Sequence, residues 1–341
     1  AGFEPPAWGI PVAGTIASGL GSQFGIAKEV TYGTVVTPSR FTDFDSETFK
    51  DDPTYQDSVG LRANRFVNPS NTTVRTTTQA PGSVTFDFVT KGMGRFLDLL
   101  HATTVAPVQI GATTAYKQNH PVGSSLVDKS ATVQFNKPDS AATDRPFTYA
   151  GCIVVSFQFS IDTGGKLKLA LTFDGREEKT DVALAAASYA ANALAFNHID
   201  ALAATLEGTP LGAVRGFTLG GSFAMKTDRH FLGSGALKKK PIPNGFFDLN
   251  GTLDMEWDGL TAHNYFKSGA KATLILPFEG AVIEGANKEA FKATAAEVQI
   301  RGESPSVGGP DVLDQSVPFK ILDDGSNVPL DLEYVSTDTA L

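Results

Sequence analysis

Residues 147–176 alternate apolar and polar side chains so regularly that few folds can accommodate them. The apolar members of the first part share one parity: Phe147, Tyr149, Ile153, Val155, Phe157, Phe159 and Ile161. Successive side chains of a strand point to opposite faces, so this pattern predicts one long strand with an apolar face. Thr163-Gly164-Gly165 predicts a tight turn, after which Leu167, Leu169, Leu171 and Phe173 alternate with polar or small residues. The stretch is therefore predicted to be a long antiparallel β-hairpin.

A second, weaker version of this stretch lies in residues 291–325. Phe291 takes the place of Phe147, and residues 251–257 answer residues 82–88 position for position. The order strand, long loop, strand, short helix, strand, hairpin occurs twice, and internal repetition outweighs local predictions when a fold is argued. The sequence predicts a first β unit at 19–181 and a second at 182–341. An irregular arm at 1–18 precedes them, and an Ala-rich linker or short helix at 181–197 forms the boundary.

The remaining local patterns favour a mainly β chain with one short helix in each unit. Helical spacing of apolar residues occurs at 93–100, and the repeat places a second short helix at 260–266. Strands are predicted at 41–49, 82–89, 131–136, 214–225, 272–278 and 328–335. Residues 50–80 are polar and contain prolines and glycines, which predicts a long loop. That loop carries Arg62, Arg65 and Arg75.

Composition excludes several classes of protein. The formal net charge of −9 argues against a surface that grips nucleic acid, which needs basic residues. No apolar run reaches the roughly 18 residues that a membrane span requires. The single cysteine, Cys152, excludes an intramolecular disulfide and a cysteine-based metal site, and it is predicted to be a small buried apolar residue.

No motif for catalysis or cofactor binding emerges. The five histidines lie far apart in sequence, and no nucleophile-elbow motif occurs. Asp43, Asp45 and Glu47 could suggest calcium, and the carboxylates at 254, 256 and 258 could suggest a glycosidase. Strand alternation explains both sets without a ligand. We therefore expect no enzyme activity, no cofactor and no metal, and a role in pairing with copies of the same chain.

Several of these segments resemble the major tail tube proteins of long-tailed, siphovirus-type bacteriophages, especially those of actinobacterial hosts. The first is residues 19–34, GLGSQFGIAKEVTYGT. The others are TYAGC at 148–152, FDGREE at 173–178, KTDR at 226–229, NGF at 244–246 and GTLD at 251–254. The likeness extends from about residue 19 to 335 and leaves the arm at 1–18 outside.

The resemblance implies two tandem β-sandwich or half-barrel units whose long hairpins join a continuous barrel around a DNA-conducting lumen. Rings of six units would then stack through loops and terminal arms into the tail tube, the conduit for DNA ejection. Because this chain carries two predicted units, a ring of three chains is favoured over a ring of six. The other implied partners are the tape-measure protein and the tail terminator and tip proteins. DNA would pass only transiently and without specific binding, through a lumen that we expect to be acidic. The protein would be made in the host cytoplasm and incorporated into the virion tail.

These considerations define two candidate sites. The inter-subunit barrel hairpin comprises Phe147, Tyr149, Ile153, Val155, Phe157, Phe159, Leu167, Leu169, Leu171 and Phe173, and the ring-stacking loop comprises Arg62, Arg65 and Arg75. The competing hypothesis is a carbohydrate-binding β-sandwich, such as a decoration or receptor-binding module. It would require an exposed aromatic groove, yet the tryptophans are only Trp8 and Trp257.

Overall fold

The computed structural model describes residues 18–103, 106–125, 129–140, 143–212, 214–257, 259–302, 304–305 and 307–341. The predicted arm at 1–18 lies outside the described residues except for Ser18. The protein is mainly β, as predicted, and two short α-helices lie among the described residues. None of the helices described is long and apolar enough to cross a membrane.

The first half of the chain contains twelve of the described strands and helix α1. The strands are β1 (Gln23–Lys28), β2 (Arg40–Phe41), β3 (Ser46–Glu47), β4 (Asp52–Gln56), β5 (Val74–Gln79), β6 (Gly82–Asp87), β7 (Val108–Gln109), β8 (Tyr116–Pro121), β9 (Ser130–Asn136), β10 (Pro146–Ile161), β11 (Lys168–Asp174) and β12 (Glu177–Lys179), and α1 spans Gly94–Asp98.

The second half contains ten of the described strands and helix α2. The strands are β13 (Ala204–Leu206), β14 (Thr209–Leu211), β15 (Val214–Ser222), β16 (Met225–Lys226), β17 (Ile242–Pro243), β18 (Asp248–Glu256), β19 (Lys271–Glu284), β20 (Asn287–Ile300), β21 (Asp314–Ile321) and β22 (Leu330–Ser336), and α2 spans Thr261–Ser268.

The two halves pair their strands in the same order. In the first half the neighbours run β3, β6, β11, β10, β9, β1, and every pair is antiparallel. In the second half they run β15, β18, β21, β20, β19, β13, again all antiparallel. The pairings among the described strands form an open, branched sheet, because no path through them returns to its starting strand.

Strand β10 belongs to both sheets of the first sandwich. Its first part pairs with β9 and its last part with β11 and β15, with a bulge between Val154 and Ser156. Gly151 adopts a left-handed φ of 67°, which favours glycine. The two sheets face each other across a core of aromatic rings, where Phe24 contacts Phe86 at 6.2 Å and Phe135 at 5.0 Å between ring centroids. This bend allows one strand to close the sandwich.

The two halves share a single core. Phe88 of the first half contacts Phe159 at 5.4 Å and, from the second half, Phe291 at 4.6 Å and Tyr334 at 6.0 Å. Strand β8, although it belongs to the first half in sequence, pairs with β22 over six residues of each strand. The halves are therefore interlocked through both packing and hydrogen bonds.

The structure corrects two local expectations and decides between a linker and a short helix for the Ala-rich segment. Residues 50–80, predicted to be a loop, contain the β4–β5 hairpin. The Ala-rich segment 181–197 contains no helix and makes isolated bridges such as Val89 with Ala195. The predicted second hairpin at 291–325 pairs only residues 298–300 with 319–321, because β20 forms its long hairpin with β19 instead.

Candidate assembly interface

One sheet edge of the first half is already joined to the second half. Residues 156–161 of β10 pair antiparallel with residues 217–222 of β15, from Ser156 opposite Ser222 to Ile161 opposite Phe217. The two backbones approach closely at Gly220, where an added Cβ would lie 2.5 Å from the carbonyl oxygen of Phe157. This joint, defined as β10 residues 156–161 with β15 residues 217–222, is a sheet edge that the two halves of the chain share.

The corresponding edge at the start of the first half is open. Strand β3 pairs with β6, and the N–H groups of Asp45 and Thr48 also donate to β6. Among the described residues, β3 has no strand partner on its other side, whereas the equivalent side of β15 pairs with β10. An unpaired row of N–H and C=O groups is a template for another strand.

At the opposite end of the array, part of β21 is also open. Residues 314–317 pair with β18 on one side. On the other side the described part of β20 reaches only as far as residues 319–321. The array from β3 to β21 therefore presents an incomplete edge at each end.

The exposed face of this array is polar and has few unpaired charges. Its centre carries small neutral side chains, including Ser156, Ser160, Thr172, Thr218 and Ser222. Away from this centre, Lys166 forms an ion pair with Asp87 at 2.6 Å, and Lys320 forms one with Asp248 at 2.7 Å. The hydrogen bond from Lys320 lowers the pKa of Asp248. Carboxylates outnumber cations: the former are Asp45, Asp87, Asp248, Asp254, Glu256 and Asp314, and the latter are Lys166, Lys168, Arg215 and Lys320.

The predicted hairpin residues point into the chain's own core. Their buried members are Tyr149, Ile153, Phe157, Phe159, Leu167, Leu169, Leu171 and Phe173. Phe147 and Val155 are half-buried, and the bulge places Val154 in the core in place of Val155. These side chains therefore shape the sheet, while its free backbone edges are what another chain could contact.

The three arginines of the predicted stacking loop lie in the β4–β5 hairpin but in different settings. Arg62 and Arg65 are exposed at its tip, beside the fully exposed side chains of Leu61 and Phe66. Arg75 lies in β5 and pairs with Asp51 at 3.3 Å. The structure thus brings two of the three together.

The β4–β5 hairpin lies between β3 and β6, and the β16–β17 hairpin lies at the corresponding place in the second half, between β15 and β18. The loop of the β16–β17 hairpin packs against the first half. The carbonyl of Ala236 in this loop accepts a hydrogen bond from the N–H of Thr78 at 3.0 Å. Lys238, fully buried, forms an ion pair with Asp174 at the end of β11. Burial raises the pKa of Asp174, and Lys238 opposes that rise. The inserted loop of the second half therefore caps the first half.

Residues from three of the quoted sequence motifs meet at the bend of β10. The Glu29 carboxylate accepts hydrogen bonds from the N–H groups of Gly33 and Gly151, each at 2.8 Å. Arg176 lies over the ring of Tyr32 at 5.8 Å, and burial raises the pKa of Tyr32. Sequence reasoning missed this cluster, although a carboxylate directly after an apolar strand was a signal for it.

In the part of the chain that is described, no group of three or more His, Cys, Asp or Glu side chains could hold a metal ion. Burial lowers the pKa of His101 and of His120 to about 4, so both imidazoles are neutral at pH 7. Cys152 is buried and forms no disulfide. The open strand edges at β3 and β21 and the two inserted hairpins are therefore the surfaces best suited to contact another chain.

A protein-family model matches this chain. The family described as phage tail tube protein matches residues 19–321, which is most of the chain. The search of curated proteins finds no match.

Proposed function

This chain belongs to the phage tail tube protein family, and on that premise we propose that it assembles into stacked rings of its own copies. Membership makes it a structural, mainly β protein of the bacteriophage virion that self-assembles into the tail tube with other tail proteins. The ring arrangement and the use of the lumen as a conduit for DNA ejection are the parts that we add.

The observation that carries the proposal is the joint between β10 and β15. We take residues 19–181 and 182–341 as two copies of one unit, supported by their common strand order. The joint connects copy one to copy two within the chain, and the open edge of β3 is where copy two of a neighbouring chain would attach. Three chains would then form a ring of six units; six chains is the alternative.

Closing the open edges supplies the driving force. Each backbone hydrogen bond contributes about 0.5–1.5 kcal/mol net, and a closed barrel leaves no free strand edge. Several bonds per joint, repeated around the ring, favour the closed ring over the isolated chain. The hairpin residues from Phe147 to Phe173 contribute by holding the sheet in shape.

The polar face of the array is the surface that we assign to the lumen. Its small neutral side chains offer little for a nucleic acid to bind, and its excess of carboxylates repels phosphates. DNA would pass through without specific contacts.

The remaining partners follow from the family and the sequence motifs. A tube of this kind would surround a tape-measure protein and end at tail terminator and tip proteins. The motif at residues 19–34 supports a long-tailed, siphovirus-type phage of an actinobacterial host, in whose cytoplasm the protein would be made.

Negative-stain electron microscopy of the purified full chain, with native mass spectrometry, tests the proposal. The expected result is rings or tubes with sixfold appearance whose mass corresponds to multiples of three chains. A chain that stays monomeric at high concentration would contradict it and would favour the carbohydrate-binding module.

A further inference from the structure

We propose that the tip of the β4–β5 hairpin, residues 57–73, docks on the second half of the neighbouring chain in the same ring. This inference rests on the proposed function. It gives the tip a role within the ring, where sequence analysis had placed its arginines between rings.

The template is the contact that the inserted hairpin of the second half makes within the chain. Its loop covers the first half where the segment leading into β6 meets the end of β11. The Thr78 N–H donates to the Ala236 carbonyl there, and Lys238 forms an ion pair with Asp174. Both insertions leave their sheets next to a joint edge, since β4 follows β3 as β16 follows β15. The first insertion should therefore reach across the joint with the next chain in the same way.

The second half has an unfilled cleft at the equivalent place. Gly251 is the counterpart of Gly82 in the second half. Because Thr78 lies four residues before Gly82 and Phe247 lies four residues before Gly251, Phe247 is the counterpart of Thr78. Phe247 lines a cleft of about 580 Å³, together with the end of β21 at Ile321 and the connection to β22. Phe246, Asp323 and Val328 also line this cleft. The cleft thus lies between the two segments that correspond to the seat on the first half.

The tip matches this cleft in apolar surface. Leu61 and Phe66 are fully exposed on the tip, and Phe246 is fully exposed beside the cleft, where Val328 is also exposed. Contact between these exposed apolar side chains would remove their surface from water, which stabilises the complex of two chains.

The charges also match. Arg62 and Arg65 form no ion pair in the described part of the chain, and they lie on either side of the tip's own turn. Asp323 lines the cleft and Asp324 follows it in the same turn, and both accept the described hydrogen bonds only from that turn, from Gly325, Ser326 and Asn327. Two cations would therefore face two carboxylates across the contact.

The partner is a second copy of the chain rather than the chain itself. The described hydrogen bonds of residues 57–73 all stay within the hairpin, for example Thr73 to Asp57 at 2.8 Å. The cleft is lined mainly by the second half, with residues 122–124 of the first half at its side, whereas the hairpin leaves from the open end of the array at β3.

Cysteine cross-linking tests the contact and its direction. The full chain carrying Phe66→Cys and Val328→Cys is assembled, oxidised and run on a denaturing gel without reductant. A contact within the ring gives covalent species that stop at the number of chains in one ring. A contact between rings gives a ladder that continues beyond that number, and this would overturn the inference.

Two controls keep the result interpretable. First, the native Cys152 is buried and should not take part in cross-linking. Second, the matched variant Leu232→Cys with Val328→Cys keeps the cysteine at the cleft and places the other one at an exposed position of the second inserted hairpin. This matched variant should not cross-link. Tubes without any Phe66–Val328 cross-link would overturn the contact and leave the proposed function intact, whereas a wild-type chain that forms no rings or tubes would overturn both.

A charge exchange gives an independent readout. Arg62→Glu with Arg65→Glu should weaken assembly, and adding Asp323→Arg with Asp324→Arg to the same chain should restore it, because identical copies then present complementary surfaces again. Circular dichroism establishes that each variant is folded. Failure of the second pair to restore assembly in folded protein would count against the contact.

Discussion

Glu29 accepts a hydrogen bond from the backbone N–H of Gly151 at 2.8 Å, linking the end of β1 to the bend in β10. Glu29 also accepts from Gly33 and from the Thr132 hydroxyl, so its buried carboxylate is satisfied on several sides. Hydrogen bonds to a charged acceptor are stronger than neutral ones. The bend that sends β10 from one sheet to the other is thus fixed by a side chain more than a hundred residues away.

The bend should be intolerant of any side chain at position 151. A Cβ on Gly151 would lie 2.7 Å from the Arg176 Cβ and 3.1 Å from the Tyr32 ring, in addition to the cost of its φ of 67°. We expect Gly151→Ala to lower the free energy of unfolding by about 2–4 kcal/mol, measured by urea denaturation. Gly164→Ala is the matched control, because Gly164 also has a positive φ but open space around it, and its cost should be about 1 kcal/mol. Equal costs at the two positions would argue against the packed bend.

The buried acid of α1 should be essential for stability. Asp98 is fully buried and pairs with Lys129 at 2.6 Å and with Arg95 at 3.3 Å. Asp98→Ala leaves buried cations without their counter-ion, and we expect it to cost about 3–5 kcal/mol of unfolding free energy. Glu279→Ala, which breaks the exposed pair with Lys288, should cost under about 1 kcal/mol. A small effect at Asp98 would show that water or other groups replace it.

The protein should lose stability in mild acid through its buried histidines. Burial, with a smaller contribution from Lys129, lowers the pKa of His120 to about 4 in the fold. Between pH 6.5 and 4 the unfolded chain binds a proton that the folded chain excludes, so the free energy of unfolding falls as pH falls. A shift of this size corresponds to about 3 kcal/mol.

His120→Gln should remove this part of the pH dependence, because glutamine does not titrate. Urea denaturation at pH 7 and pH 4.5 checks it: the loss of stability between the two pH values should be smaller by about 2–3 kcal/mol in the variant than in the wild type. An identical loss in both proteins would mean that His120 is protonated in the fold.

The two faces of β10 and β11 should respond oppositely to a new charge. Leu169→Asp places a carboxylate in the core, where Leu169 is fully buried, and should unfold the chain and abolish tube formation. Gln158→Asp changes the exposed face of the same hairpin and should leave the fold intact. Circular dichroism and negative-stain microscopy of both variants check this. Normal tubes from Leu169→Asp would contradict the arrangement of the core.

Much of the fold could be predicted from the sequence, because the alternation of apolar and polar side chains along a strand is a local pattern. The β10–β11 hairpin, helix α1 and the strand at Gly82 were predicted from side-chain period and turn residues, and the strand at Gly251 and helix α2 from the internal repeat. The long β19–β20 hairpin was missed beyond residue 278, because its tip residues are exposed on both faces and show no clean alternation. The β4–β5 hairpin was missed because its residues are polar and largely exposed.

The candidate interface was harder to predict because it depends on which strands become neighbours. The alternating residues from Phe147 to Phe173 mark the hairpin but fill its own core. The open side of β3 and the β10–β15 joint depend on which distant segments pair with each other. The side-chain periodicity of a single segment does not contain that information. The burial of Lys238 against Asp174 likewise depends on a loop that crosses from one half to the other.

Strand β8 comes before the first long hairpin in sequence, yet it completes the sheet of the second half beside β22. Neither half could be expressed alone without exposing Tyr334 and His120, which the other half now shields. The two halves therefore cannot be separated or exchanged as independent modules without breaking this shared sheet.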